Sequence, residues 1–245
     1  MSESGAAPRA TFAQRGMALV VTLLTLAGMM MLGMSALRVV QLSTRIAHAE
    51  RERTHAFYAA EAALADAERD IALGSRAALF ATSPAMPRRL AERARESFVP
   101  GVCQRGGMRQ GLCQSAPGQP SVWLTVDFDD VTASAASVAY GTFTGARLSV
   151  ARLPRYVIEA LPAVARARGA APLDALYRIT AAGYGPTLRQ PVILQSVYRL
   201  ARPDGEGATV EQLPAGRLSW REITTWDEMR AGMARAVRPI DGATD

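Results

Sequence analysis

The chain contains no lysine; all 28 of its basic residues are arginine. A glycine-rich phosphate loop uses a lysine to reach the phosphates, so that kind of nucleotide chemistry is excluded. Histidine and cysteine are nearly absent too, with two of each: His48 and His55, Cys103 and Cys113. Neither pair has the spacing or the further ligands that complete a zinc site. Ser75, Ser83, Ser97, Ser121 and Ser137 all lie outside any nucleophile-elbow context. The sequence therefore offers no catalytic constellation and implies no enzyme, no cofactor and no metal. The formal charge is +6, but the arginines are spread thinly, without a dense patch or a reader motif, so nucleic acid is not read as a partner.

The most telling absence is local. No charge falls between Gly16 and Leu37, and Arg15 and Arg38 bracket the stretch. It is long enough to cross a bilayer as a helix, for which roughly 20 apolar residues suffice. A removed secretory signal has a shorter apolar core and a small-residue cleavage site before a polar start. Here the chain instead runs on in helix-forming sequence, without proline, as far as Gly74. Its apolar stripe passes through Leu42, Ile46, Ala49, Ala56 or Phe57, Ala60, Leu64, Ala67 or Glu68 and Ile71, with Arg53 interrupting it. The expectation is one helix of roughly 55 residues, its first half suited to lipid and its second half amphipathic. Arg9 and Arg15 stand against Glu3 before the span, which favours a cytoplasmic N-terminus and an external remainder, although Arg38, Arg45, Arg51 and Arg53 follow the span.

These residues carry a resemblance. Arg15-Gly16 directly before the apolar run resembles the class III leader of type IV prepilins. The pattern from Gln14 to Glu68, above all Phe57-Tyr58-Ala59-Ala60-Glu61-Ala62-Ala63-Leu64, is similar to that of PilX-like minor pilins. So are Tyr177-Arg178-Ile179-Thr180-Ala181-Ala182-Gly183 and the run from Val192 to Tyr198. The resemblance implies cleavage by a prepilin peptidase between Gly16 and Met17, methylation of the new amine, and an anchor retained in the inner membrane. It implies a periplasmic head, then a place in a pilus at the cell surface, with roles in twitching motility and cell adhesion. The partners it implies are other minor pilins, the major pilin, the inner-membrane assembly platform and a tip adhesin.

One position departs from the pattern. Major pilins carry a glutamate at the fifth mature position, which pairs with the amine of a neighbouring subunit; counted from Met17, that position is Val21. An unpaired charge in an apolar filament core is costly. A subunit without the carboxylate fits a rare place at the tip or in the initiating complex better than the repeating shaft. A minor tip pseudopilin of a type II secretion system has the same shape. A bitopic protein that binds a periplasmic ligand and never enters a filament is the alternative of a different class.

The rest divides by composition. Residues 1–16 read as leader, 17–37 as the transmembrane half of the helix and 38–73 as its amphipathic half. Residues 74–121 are rich in proline and glycine, with a short helix expected from Met86 to Glu96. They hold Cys103 and Cys113; in an oxidising compartment the expected state is a disulfide, contributing about 2–3 kcal/mol, with two free thiols as the other reading. Residues 122–200 read as sheet. Strands are expected at Val122–Phe128, at a hairpin of Val138–Phe143 and Ala146–Leu153, and at Tyr156–Leu161, Tyr177–Ala182 and Val192–Leu200. In the last of these Val192, Leu194, Ser196 and Tyr198 share one face, and Ile193, Gln195, Val197 and Arg199 the other. Residues 201–245 form a tail with a linker and a local edge-packing segment around Trp220 and Trp226, in which Thr225 opens a short helix. The fold class expected is α+β and type IV pilin-like: a long N-terminal helix, transmembrane and then amphipathic, packed on an antiparallel sheet.

Overall fold

The computed structural model describes residues 17–80, 96–162, 175–187, 191–200 and 215–236. The chain forms two compact units, Met1–Glu50 and Arg51–Asp245. Helix α1, Met17–Leu73, begins in the first unit and ends in the second. The linker at 204–207 and all but the last residue of the helix expected at Met86–Glu96 lie outside the described residues.

In the first unit every described residue is exposed helix, and the segment is apolar and long enough to cross a membrane. The hydroxyls of Thr22, Thr25 and Ser35 donate to the carbonyls of Leu19, Thr22 and Leu32 at 2.8–2.9 Å. In hydrocarbon a hydroxyl has no water to bond, and this back-bonding satisfies it inside the helix.

In the second unit α1 continues from Arg51 with an alanine-rich face. Alanine loses no side-chain entropy in a helix and lets the helix backbone approach a neighbour closely. The buried positions are Ala56, Ala59, Ala60, Ala63, Leu64, Ala67 and Ile71, with Asp66 and Asp70 among them. Beyond α1 come β1 (Val102–Cys103), β2 (Leu112–Gln114), β3 (Val138–Ala139), β4 (Arg155–Ala160), β5 (Leu176–Gly183), β6 (Val192–Arg199), β7 (Gly216–Glu222) and α2 (Trp226–Ala236).

The strands form one sheet in the order β1-β2-β4-β5-β6-β7, with β3 pairing β4 as well. The sheet is mixed, which corrects the all-antiparallel expectation. Strand β2 runs parallel to β4 in the register Leu112↔Ile158 and Cys113↔Glu159. The other pairings are antiparallel. A parallel neighbour needs a long crossover, and the chain from Ser115 to Pro154 supplies it.

The period-2 alternation of the central strands makes two cores. Tyr156 and Ile158 of β4, Tyr177, Ile179 and Ala181 of β5, and Val192 and Leu194 of β6 pack with the buried face of α1. Val157, Ala182 and Ile193 point to the other side and pack with Cys103, Cys113, Trp123, Phe128 and Trp226. The alternation expected for β6 is therefore the one observed, with Val192, Leu194 and Tyr198 toward the helix.

Three local expectations are corrected. Val122–Phe128 is not a strand; Val122–Thr125 is a 3-10 turn whose Trp123 stacks on Trp226 at 5.8 Å, so its alternation serves tertiary packing. The hairpin over 138–153 reduces to β3. Beyond it the chain turns at Gly141 and Gly145, both at positive φ, and the Gly141 amide is taken by Asp66 (2.7 Å) instead of a strand partner. The segment containing Trp220 is strand β7, paired with β6, and Trp226 opens α2 one residue after Thr225.

Helix and sheet approach closely at Gly183, the last residue of β5. A Cβ there would lie 2.1 Å from the Ala56 carbonyl oxygen and 2.2 Å from the Ala60 nitrogen. Gly183→Ala is therefore expected to cost about 3 kcal/mol, the upper end for overpacking. The measurement is the urea midpoint of the full chain in detergent micelles. Gly232→Ala, inside α2 where an added Cβ meets nothing within 4 Å, should gain about 0.5–1 kcal/mol. An unchanged midpoint for Gly183→Ala would mean that α1 is not seated on β5 in this way.

Candidate functional site

The structure places the residues singled out in the sequence in two separate regions. Gly16 lies outside the described residues. Met17 opens α1, and Val21 follows one turn later on the same face; both are exposed. Cys103 and Cys113 are joined as a disulfide between β1 and β2, with their Cα atoms 4.1 Å apart as a directly opposed cross-strand pair. The bond is buried beside Val122 and Trp123. His48 and His55 are exposed on α1. Among the described residues no group of three metal-ligating side chains is found.

The polar machinery of the second unit lies mostly in residues that sequence reasoning passed over. Asp66 and Asp70 are one helical turn apart and both fully buried. Asp66 accepts the Gly141 amide and the Thr144 hydroxyl, and so pins the loop after β3 to α1. Asp70 receives the guanidinium of Arg76 through Nε at 3.0–3.1 Å and Nη2 at 2.7 Å, and the Tyr156 hydroxyl at 2.9 Å. Arg76 is 1% exposed, and its plane lies on the Phe143 ring at 3.7 Å. Its Nη1 donates to the carbonyls of Met108 (3.0 Å) and Gln110 (2.5 Å), inside the disulfide loop. A buried carboxylate on an alanine-rich face was the one available signal. The two aspartates lie one helical turn apart beside the apolar stripe, next to Ala59 and Ala63 at the same helical spacing.

A second set of contacts runs along the exposed flank of α1. Arg53 pairs with Glu222 at 2.7 Å, Arg217 with Glu61 at 3.1 Å and with Glu68 at 2.7 Å, and Phe57 meets Trp220 edge-on at 5.7 Å. Glu222 and Trp220 face the helix by regular alternation opposite Leu194 and Ser196, whereas Arg217 reaches it because β7 is bulged. Ser219 opposes Val197 and Arg217 opposes Tyr198, leaving Leu218 as the extra residue that returns Arg217 to the helix side. Each such pair is partly solvated and individually modest.

Burial raises the phenols of Tyr156, Tyr177 and Tyr184 above their ordinary value; at Tyr156 the Asp70 carboxylate adds to the effect. Tyr177 donates to the Phe80 carbonyl and Tyr184 to that of Phe128, both at 2.7–2.8 Å. Between pH 10 and the raised folded-state values only the unfolded chain releases these protons. The stabilisation is thus full below about pH 10 and is lost as pH rises through the folded values. In an alkaline titration of the full chain followed by tyrosinate absorbance, these three of the 6 tyrosines should ionise only in the cooperative unfolding step. Smooth ionisation of all of them with the fold intact would contradict the burial.

Asp70→Asn leaves the Arg76 guanidinium buried without its counter-charge and should cost about 3–5 kcal/mol in urea unfolding. Asp70→Leu combined with Arg76→Met removes both charges and should lose less than the two single changes summed. Strict additivity would contradict the pairing.

The comparisons with known proteins fall on both sides of the helix–sheet interface. The family model described as PilX N-terminal matches residues 15–65, the span and most of α1. The model described as Type IV pilus assembly protein PilX C-term matches residues 109–200, from the disulfide loop to the end of β6. No curated protein and no solved structure matches the chain. A long apolar N-terminal helix whose later turns pack on a mixed sheet agrees in general terms with a type IV pilin-like fold. On these two matches, the chain is a member of the PilX family.

Proposed function

We propose that the protein is a minor pilin that helps to start or cap a type IV pilus. The observation that carries this is Val21, which stands in a charge-free anchor where a shaft subunit needs a carboxylate, in a chain matched by both PilX models. An anchor of this kind can enter an apolar filament core, but it cannot neutralise the amine of a neighbour there. In this reading prepilin peptidase cuts after Gly16, the N-terminus faces the cytoplasm and the disulfide-bonded head faces the periplasm. The assembly platform, the other minor pilins, the major pilin and a tip adhesin are the partners. The arginines of the leader and a buried disulfide, which belongs to an oxidising compartment, support that orientation.

One experiment on cells tests the reading. Mass spectrometry of the membrane form should give a chain beginning at Met17, and Gly16→Leu should abolish the cut. Quantitative immunoblots of sheared pili should find the protein far below the major pilin, with Val21→Glu raising its share. An uncut chain in cells with active peptidase sinks the pilin reading. Wild-type abundance equal to that of the major pilin removes the tip or initiator role while leaving the pilin reading in place.

A further inference from the structure

The disulfide loop and the last turns of α1 are far apart in sequence, yet they share one side chain. Arg76 follows the end of α1 by three residues, and the guanidinium has five N–H groups to satisfy. Nε and Nη2 are spent on Asp70. Nη1 finds its acceptors in the carbonyls of Met108 and Gln110, and both residues lie between Cys103 and Cys113. We propose that the Cys103–Cys113 bond acts on the long helix through Arg76, so that the redox state of the two cysteines governs how firmly the C-terminal turns of α1 stay on the sheet. This does not depend on the filament reading.

The loop needs its closure to present those carbonyls. Gly106 and Gly107 stand side by side at φ +65° and +61°, a backbone with the widest conformational freedom once it is unrestrained. Met108 follows them and is half-exposed. Gln110 is tied separately, its amide nitrogen donating to the carbonyls of Ala135 and Ser137 at 2.9–3.1 Å. The Met108 carbonyl lacks such a tie in its own side chain; the backbone bonds of the Gln104 amide to Leu112 (2.9 Å), the Gly111 amide to Gln104 (3.0 Å) and the Gln110 amide to Gly107 (3.3 Å) shape the loop, and the closed ring restrains it further. Opening the ring returns conformational entropy to residues 104–112 and lets that carbonyl drift. A buried guanidinium then has an N–H without an acceptor, which weakens its hold on Asp70 and, through Asp70, on Tyr156. Reduction adds two electrons and two protons and gives two thiols. Dithiothreitol supplies both and is itself oxidised to its cyclic disulfide.

The test uses the full chain in detergent micelles, oxidised or held in dithiothreitol, with amide hydrogen exchange read by mass spectrometry. In the wild type, reduction should speed exchange over residues 66–76 by about tenfold, the scale of one lost charge-assisted bond, while β5 and β6 stay protected. In Arg76→Lys, which keeps the charge but not the fork, the oxidised protein should already exchange faster there, and reduction should add less than twofold. A wild type whose residues 66–76 are unaffected by reduction overturns the proposal. So does an equal acceleration in both proteins, or strands that open together with the helix end. Should Arg76→Lys not fold, the wild type alone decides. The Nη protons of Arg76, followed by nitrogen-15 NMR, should be slow to exchange when oxidised and fast when reduced, and unchanged protection overturns the proposal.

Discussion

The second unit depends on a buried ion pair, Arg76 on Asp70, more than on any other contact. A charge pair out of water is a net asset only when its remaining hydrogen-bonding capacity is used. Here the carboxylate also takes the Tyr156 hydroxyl, and the guanidinium also takes two loop carbonyls and a ring face. Helix, central strand and disulfide loop are therefore positioned by one group of atoms. Apolar burial drives these segments together, but it is non-directional and would tolerate a helix slid by a residue. The polar cluster fixes which residues meet.

Much of the architecture is legible from local pattern. The charge-free run marks the span, and short runs rich in apolar and β-branched residues mark β4, β5 and β6, which are buried on both faces. The same rule misreads Val122–Phe128, where the alternating apolar residues serve Trp226 and the disulfide through a 3-10 turn. Strand β7 reads poorly because its side chains are mostly exposed and its bulge breaks the period. The parallel pairing of β2 with β4 is a long-range choice that no local pattern encodes. The buried site is partly legible: Asp66 and Asp70 stand out beside an apolar stripe, but their partners come from a turn, a loop and a strand that only the fold brings together.

The family assignment and the geometry meet at α1. The two family matches cover most of α1 and the part of the sheet from β2 to β6. Cys113 and Gln110 fall inside the second match, whereas Cys103 and Arg76 fall outside both. The contacts that lock the helix end thus combine residues from the matched regions with residues particular to the stretch between them.

The polar contacts along α1 also have a mechanical meaning. Arg53, Glu61, Glu68 and Asp70 are spaced from near the start of the helix in the second unit to its last turns; Glu222 and Arg217 of β7 hold the first three, and Arg76, just past the helix end, holds the last. A pull along the helix axis from its N-terminal side loads such contacts in shear and in parallel. Attachment at one end alone would let the helix peel away contact by contact under much smaller tension. The distribution of ion pairs along α1 therefore makes the helix a tether that shares load along its length.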